Sequence, residues 1–258
     1  MIKIGCCGFP VGRERYYKIF NCCEVQITFY TFPKISLLEK WRKEAPRDFE
    51  FIIKASQLIT HPAPTPTYKR LNKEIPLLSY QPKNFGFFQP TQEVKDAWEE
   101  VLKEAQALAA SIILFQTPPS FSEDPKHLRN IYSFFTTIER KGLTLAWEYR
   151  GEWQEATLKK VARDLNLILV GDPTAPERSP GPNLKVLVTS LSSKKEGPFI
   201  DFYFRLHGGK GYRHKFTDEE LMAVALLTKK KTGYIMFNNM HMFEDAQRMK
   251  EIINTVRK

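Results

Sequence analysis

The pairs Glu148/Arg150 and Arg205/His207 each set two ionisable residues two positions apart, where an apolar run ends. On a strand that spacing puts both side chains on one face. Carboxylate, guanidinium and imidazole sharing a face could bind an anion and move a proton. Six other apolar runs end in a similar way. Their ends are Gly8, the Gln26/Thr28/Tyr30 set, Lys54, Gln116, Asp172 and Asn238/Asn239. Lys54, Arg150, Arg205 and His207 have the chemistry to hold an anion. Glu148, Asp172 and His207 have the chemistry of a general acid and base. Gln26, Tyr30, His61, Gln116, Asn238 and Asn239 could orient polar groups of a ligand. Glu148, Asp172 and His207, with His61, could also hold a single divalent metal through N and O ligands. The cations among them weigh against that. No metal ligand is assigned, and the sequence requires no cofactor.

Eight strand-like runs must carry these residues: Ile2–Cys7, Cys23–Thr28, Glu50–Lys54, Ser111–Gln116, Leu143–Trp147, Leu167–Gly171, Phe199–Leu206 and Gly233–Phe237. Helical patterns fill the gaps. Ser36 with Glu39, and Thr217 with Glu220, have the spacing of capping boxes. Gln92–Ala110, Pro125–Arg140, Gln154–Leu165 and Phe243–Arg257 have apolar residues at helical spacing. Strands alternating with helices imply a parallel sheet, and eight such units predict a (β/α)8 TIM-like barrel over residues 1–258. Active sites in that fold lie at the C-terminal ends of the strands. Two long βα loops are expected there, after strand 3 (His61–Gln89) and after strand 6 (Pro173–Pro198).

Alternation predicts which side chains enter the barrel. In strand 2, Glu24, Gln26 and Thr28 point inward while Val25, Ile27 and Phe29 pack under the helices. In strand 5, Thr144, Ala146, Glu148 and Arg150 point inward. In strand 7, Asp201, Tyr203, Arg205 and His207 point inward, and Ile200, Phe202, Phe204 and Leu206 outward. Charge inside a barrel must pair or meet ligand. Pairs such as Glu24–Arg205 or Glu148–Arg150 would form an internal network, and the same network could orient groups that touch a ligand.

The net charge of +10 over 258 residues favours anionic partners, nucleic acid first. The basic residues are scattered, apart from Lys229–Lys231, Lys194-Lys195 and the loop Lys210–Lys215. No apolar run approaches the ~20 residues that cross a bilayer. The first five residues read as a strand and not as a signal peptide, so a cytoplasmic protein without a membrane partner is expected. The four cysteines form the adjacent pairs Cys6-Cys7 and Cys22-Cys23. The pairs are expected toward opposite ends of the barrel, as buried free thiols. Of the five histidines, His127 is expected at the surface and His214 in solvent or on phosphate. There is no GxGxxG after the first strand and no GxSxG elbow. Gly208-Gly209-Lys210-Gly211 could cradle a phosphate or serve as a turn.

Seven segments together resemble the YecE-like family, TIM-barrel proteins of unknown function. They are Ile4-Gly5-Cys6-Cys7-Gly8-Phe9; Val25–Tyr30 with Glu24 before it; Ile59-Thr60-His61; Gln116-Thr117-Pro118-Pro119; Glu148-Tyr149-Arg150 with Trp153; Arg205-Leu206-His207-Gly208; and Phe237-Asn238-Asn239. The resemblance implies the barrel and a site at the strand ends, and supplies no reaction. Cys6-Cys7 stands where the family has small hydroxyl residues, Phe9 where Trp is common, and Gly151 where the family often has His.

The sequence therefore points to an enzyme acting on a phosphate-bearing or otherwise anionic substrate, nucleic acid or a sugar phosphate. One rival is a non-catalytic nucleic-acid-binding protein that stacks bases on Tyr68, Tyr80, Phe85, Phe87 and Phe88. Another is a single-metal hydrolase.

Overall fold

The computed structural model describes residues 1–71, 81–174, 200–209 and 211–256. Within them run β1 (Ile2–Cys7), α1 (Arg13–Tyr17), β2 (Cys22–Val25), α2 (Ile27–Tyr30), α3 (Ile35–Glu44), β3 (Glu50–Lys54) and α4 (Gln57–Thr60). Next come α5 (Gln92–Leu108), β4 (Ile112–Gln116), α6 (Pro125–Thr137), β5 (Thr144–Glu148), α7 (Glu155–Asp164) and β6 (Leu167–Gly171). The chain closes with β7 (Phe202–Leu206), α8 (Asp218–Leu227), β8 (Gly233–Phe237) and α9 (Met242–Val256). The eight strands form a closed barrel in chain order, all parallel, with β8 paired to β1. Of the second long loop only residues 172–174, 200 and 201 are described. Lys194, Lys195, Lys210 and Tyr80 lie outside the described residues.

Strands such as Ile112-Ile113-Leu114-Phe115 are apolar on both faces because both are covered, by helices outside and by other strands' side chains within. Cys7, Cys22, Ile52, Ile112, Leu114, Ala146, Ile168, Val170, Tyr203, Tyr234 and Met236 pack in the interior. Leu145, Trp147, Phe202, Phe204 and Leu206 join the separate cluster under the helices, as alternation predicts. Ile200 departs from the expectation. It packs with the interior, because the regular strand begins only at Phe202.

Strand 2 is shorter than expected. It ends at Val25, and the chain turns at Gln26 into the four-residue helix α2. Alternation therefore fails beyond Val25, and Ile27 is exposed where the strand reading packs it under the helices. Ser36 does not cap α3. The helix starts at Ile35 behind Lys34, which makes no side-chain cap bond, so Ser36 sits inside the first turn. Thr217 and Glu220 do form the reciprocal capping box of α8.

The aromatics of the first long loop are core residues. Phe88 and Phe85 are buried, and Phe87 packs against the same cluster. Residues 86–88 lie on α4: Gly86, Phe87 and Phe88 donate backbone N–H bonds to the carbonyls of Leu58, Thr60 and Ile59. Gly86 has φ +85°, and a Cβ there would fall 2.3 Å from the His61 carbonyl oxygen, so only glycine permits this contact. Tyr68 donates its hydroxyl to the His61 carbonyl at 2.8 Å. The stacking role given to these rings is thus corrected for Phe85 and Phe88, which expose no face. Among the described residues no helix is long and apolar enough to cross a membrane.

The cysteines are buried and free, but the two pairs are not at opposite ends of the barrel. Cys6 stands beside Cys23 in the register of β1 and β2. Short strand 2 begins level with the end of β1, which brings the pairs together. Cys6 and Cys23 face the helices, and Cys7 and Cys22 face the interior. Burial pushes the Cys6 thiol up to about 12 and raises the other three. Thiolates are the reactive form, so native protein should react with an aromatic disulfide reagent only over hours. After denaturation without reductant the same reagent should count four thiols. Rapid native labelling, or a denatured count of two, would contradict this arrangement.

Candidate active site at the strand ends

Arg205 is fully buried near the end of β7. Its Nε and Nη2 grip both oxygens of Glu24 at 3.0 and 2.8 Å, and Nη1 reaches Glu148 Oε2. Nη1 also lies 3.4 Å from His207 Nε2, and Nη2 lies 3.6 Å from Cys7 Sγ. A guanidinium has five N–H groups, so little donor capacity remains. Tyr203 donates to Glu24 Oε2 at 2.6 Å, and Gln26 Nε2 donates to Glu24 Oε1. The expected Glu24–Arg205 and Glu148–Arg150 pairs both form, and they are parts of one network. Arg205 thus lies beneath the surface groups, with its donors spent on protein.

Arg150 and His207 form the upper layer. Their side chains are 19% and 21% exposed, against 1% for Glu148 and 0% for Glu24. Arg150 Nη2 donates to Glu148 Oε1 and to His207 Nε2, the latter at 2.9 Å. A guanidinium can only donate, so Nε2 is the acceptor and the imidazole proton sits on Nδ1. Nδ1 stands 3.4 Å from Asp172 Oδ2, without the alignment of a hydrogen bond. Arg150 Nε is likewise buried with no hydrogen-bond partner among the described residues. Asp172 is held by the His207 backbone N–H at 2.7 Å and by the N–H and hydroxyl of Thr174 at 2.9 and 2.6 Å. Burial works against its charge, and the bonds from His207 and Thr174 override it and keep the carboxyl below its ordinary range. Burial opposes the Glu148 charge too. Arg150 and Arg205, with Lys54, hold that carboxyl well below the usual range.

Lys54 ends β3 and is buried, with Nζ 3.8 Å from the centroid of the Phe29 ring. Burial, seconded by Arg205, brings its pKa down from 10.5 to about 7. His61 sits beside the same ring, edge-on at 5.0 Å, with Nδ1 2.8 Å from the Thr60 hydroxyl. Burial and Lys54 lower it to about 3, so it is neutral. Tyr30 packs edge-on against Phe29 and carries Arg70 over its own ring.

The remaining sequence candidates divide. Gln116 is half-buried and pairs in register with Glu148, which sets it at the strand ends. Asn238 is half-buried, its N–H bound to the Leu206 carbonyl. Asn239 turns away: it is fully buried and donates to the His214 carbonyl and to Asp245. His214 pairs with Glu220 at 2.9 Å instead of meeting solvent. His127 is buried, not superficial, with Nδ1 2.8 Å from the Ser122 carbonyl. Among the described residues no three His, Cys, Asp or Glu side chains gather as metal ligands. Gly151 has no room for a side chain: a Cβ would lie 2.2 Å from the Phe121 carbonyl oxygen. Three participants had no role in the sequence reading: Cys7 and Tyr203 on the network, and Thr174 on Asp172. Tyr203 was legible as inward-facing, and Thr174 gave no signal.

Residues 12–258 match the sequence family described as Protein of unknown function DUF72. A stretch of 50 residues is 38% identical to the UPF0759 protein YecE of Escherichia coli strain K12, covering 19% of this chain and 18% of that one. The match spans less than a fifth of that relative's length. The structure is similar to that of a DUF72 family protein from Enterococcus faecalis V583, with TM-score 0.66 and 16% identity over 98% of each chain. It is also similar to an AP endonuclease, family 2, from Brucella melitensis, with TM-score 0.56 and 11% identity over 93% of this chain and 92% of that one. At these identities the likeness is one of fold.

Two outcomes follow from the network. Arg205→Ala removes the charge partner of buried Glu24 and one of the two guanidinium partners of Glu148, and should lower unfolding free energy by about 3–5 kcal/mol in urea titrations. Adding Glu24→Gln should recover part of the loss; a single variant as stable as wild type would contradict the network. Lys54 gives the second. Its folded pKa of about 7 lies below the unfolded value, so the unfolded chain holds more protons above pH 7. Stability contributed by this residue therefore rises with pH from about 7 toward ~10, by on the order of 3–5 kcal/mol. Lys54→Met should flatten that rise in urea midpoints measured from pH 7 to 9.5.

Proposed function

Because this chain belongs to the DUF72 family, whose description assigns no reaction, we propose a function from the site's own chemistry: an enzyme acting on a phosphate-bearing substrate at the strand ends, with nucleic acid the leading substrate. The observation that carries this reading is the layering. The partly exposed groups are Arg150 and His207, and the carboxylates lie buried beneath them. An approaching anion meets the guanidinium first. Among the described residues, Arg150 Nε is a buried donor without an acceptor. Leaving such a donor unpaired costs about 1–3 kcal/mol, so a phosphate oxygen gains by filling the gap.

His207 would be the base. Asp172 holds its backbone and faces Nδ1, the arrangement that leaves Nε2 as the basic nitrogen. Arg150 Nη2 occupies Nε2. A phosphate that draws Arg150 toward itself would remove the nearer of two donors from that lone pair, leaving only the longer contact to Arg205 Nη1 at 3.4 Å to compete with a substrate or water proton. Glu148, gripped by Arg205, would steady Arg150 throughout. Gln26, Gln116 and Asn238 would orient the ligand's polar groups, and Tyr30 and His61 would border it. Nucleic acid is favoured over a sugar phosphate by the +10 charge. The AP endonuclease among the fold neighbours lends support of the same kind.

Arg150→Ala should weaken binding of a short phosphate-bearing oligonucleotide about ten- to a hundredfold, the worth of one charge-assisted bond of roughly 1.5–3 kcal/mol. His207→Ala should leave affinity nearly intact and abolish turnover. Mobility shifts at two salt concentrations, with strand cleavage followed on the same samples, test both; wild-type binding should fall steeply with salt. Absence of any shift at low salt would eliminate nucleic acid, and unchanged affinity in folded Arg150→Ala would remove Arg150 from the site.

A further inference from the structure

Lys54 is not needed for the anion reading, and its surroundings suit a different task. Thr28 Oγ1 donates to the Lys54 carbonyl at 2.8 Å, so the backbone at the end of β3 is fixed. The residue is 5% exposed. Its ammonium has an aromatic face to rest on, Phe29, and no hydrogen bond or ion pair to any described residue. The carboxylates that could have paired with it are occupied. Glu24 accepts from Arg205, Tyr203 and Gln26, and Glu148 accepts from Arg205 and Arg150. A buried ammonium without acceptors is costly, whereas a neutral amine keeps its lone pair and needs none.

We infer that Lys54 is a nucleophilic amine that captures an aldehyde or ketone carbonyl of the substrate as an imine. This goes beyond the phosphate reading, which concerns Arg150 and His207, and does not depend on it. The Nζ lone pair adds to the carbonyl carbon, the C=O π pair moves to oxygen, and one N–H proton passes from nitrogen to that oxygen. The carbinolamine C–O bond then breaks as the nitrogen lone pair forms C=N, and the oxygen leaves as one water carrying the second N–H proton. No oxidant or reductant is consumed. The charged and titratable groups around Nζ set how much free amine exists. Burial and Arg205 favour the neutral form, Glu148, Glu24 and Cys7 oppose it, and His61 alongside is uncharged. The balance, about 7, leaves roughly half the Lys54 amines neutral at pH 7. An ordinary lysine near 10.4 is neutral in only about one molecule in two thousand at that pH.

The test is reductive trapping on the full chain. Glycolaldehyde and glycolaldehyde phosphate, each small enough for a nearly closed position, are incubated with the protein and sodium cyanoborohydride at pH 6 to 10. Adducts are located by peptide mass mapping. Lys54 should be modified at pH 7 at least about tenfold faster than exposed lysines, even after allowing for its limited access. Its rate should level off above pH 7 to 8, while theirs climb toward pH 10. Lys54→Met should lose the fast adduct and keep the slow ones. Should that variant not fold, the wild-type map decides alone. Exposed lysines labelled ahead of Lys54, or a Lys54 profile that climbs with theirs, would overturn the inference. Equal Lys54 labelling by the two probes would support carbonyl capture while counting against the phosphate reading. Faster labelling by the phosphate ester would support both.

Discussion

One full positive charge, on Arg205, sits where no water reaches it, and the upper half of the barrel is organised around that fact. A guanidinium in such a place demands acceptors for five N–H groups and a compensating charge. Strand β2 answers with Glu24 and strand β5 with Glu148. Their carboxylates in turn need donors, which Tyr203, Gln26 and Arg150 supply. Satisfying Arg205 thus recruits side chains from β2, β5 and β7 and from the residues just beyond them. Below this layer Ile52, Ile112, Leu114, Ala146, Ile168 and Val170 pack an apolar core, with a second polar contact, Tyr234 and Lys3 on Glu50, toward the opposite end. The network is a lid of fixed charge on an ordinary core, and it holds the groups above it in place.

The rigid lower layer explains the properties of its neighbours. Both carboxylates are spent on arginines, so Lys54 is left with an aromatic face and a lowered proton affinity. Arg150 Nη2 is held by Glu148 and His207, while its Nε finds no acceptor among the described residues. His207 is fixed in one tautomer from both sides, Arg150 at Nε2 and Asp172 toward Nδ1. Unmet hydrogen-bonding capacity is uncommon in a folded interior, and here it collects next to a saturated network. That is the pattern of preorganisation: the buried groups are already arranged, and the outer ones are left a donor or a lone pair short.

The period-2 pattern carried much of this. It turns Glu24, Glu148, Tyr203 and Arg205 inward and Leu145, Trp147, Phe202 and Phe204 outward, and both faces are as the sequence predicts. Alternation is a local rule, so it works as far as the strand does. It broke at Gln26, where the chain turns into α2, and at Ile200, before β7 becomes regular. The rule does not say which cation is saturated. Arg205 and Arg150 look alike in sequence, and only the number of acceptors around each separates them. Loop aromatics were misjudged for a related reason. Phe85 and Phe88 lie in a Pro-rich stretch that reads as surface, but the hydrogen bonds of residues 86–88 to α4 draw both rings into the core. His214 and Asn239 were placed by partners more than five residues away, Glu220 and Asp245, that no motif announces.

Gly151 shows how the loop beyond β5 sets the limits of the chemistry. The family often has histidine there, yet here the backbone is pressed against the Phe121 carbonyl, and any side chain would displace residues 119–121. Trp153 reinforces the contact by donating to that same carbonyl at 2.8 Å. A second imidazole beside Arg150 is therefore excluded by packing, not merely by sequence. On the proposed function, proton transfer at this end of the barrel would fall to the groups that remain. Glu148 is held firmly ionised by Arg150 and Arg205 and makes a poor acid. Asp172 is tied to Thr174 and to the His207 backbone. Among the described residues of the partly exposed layer, His207 Nε2 is then the nitrogen that the proposed function would use as base, with Arg150 as the side chain that links it to an anion.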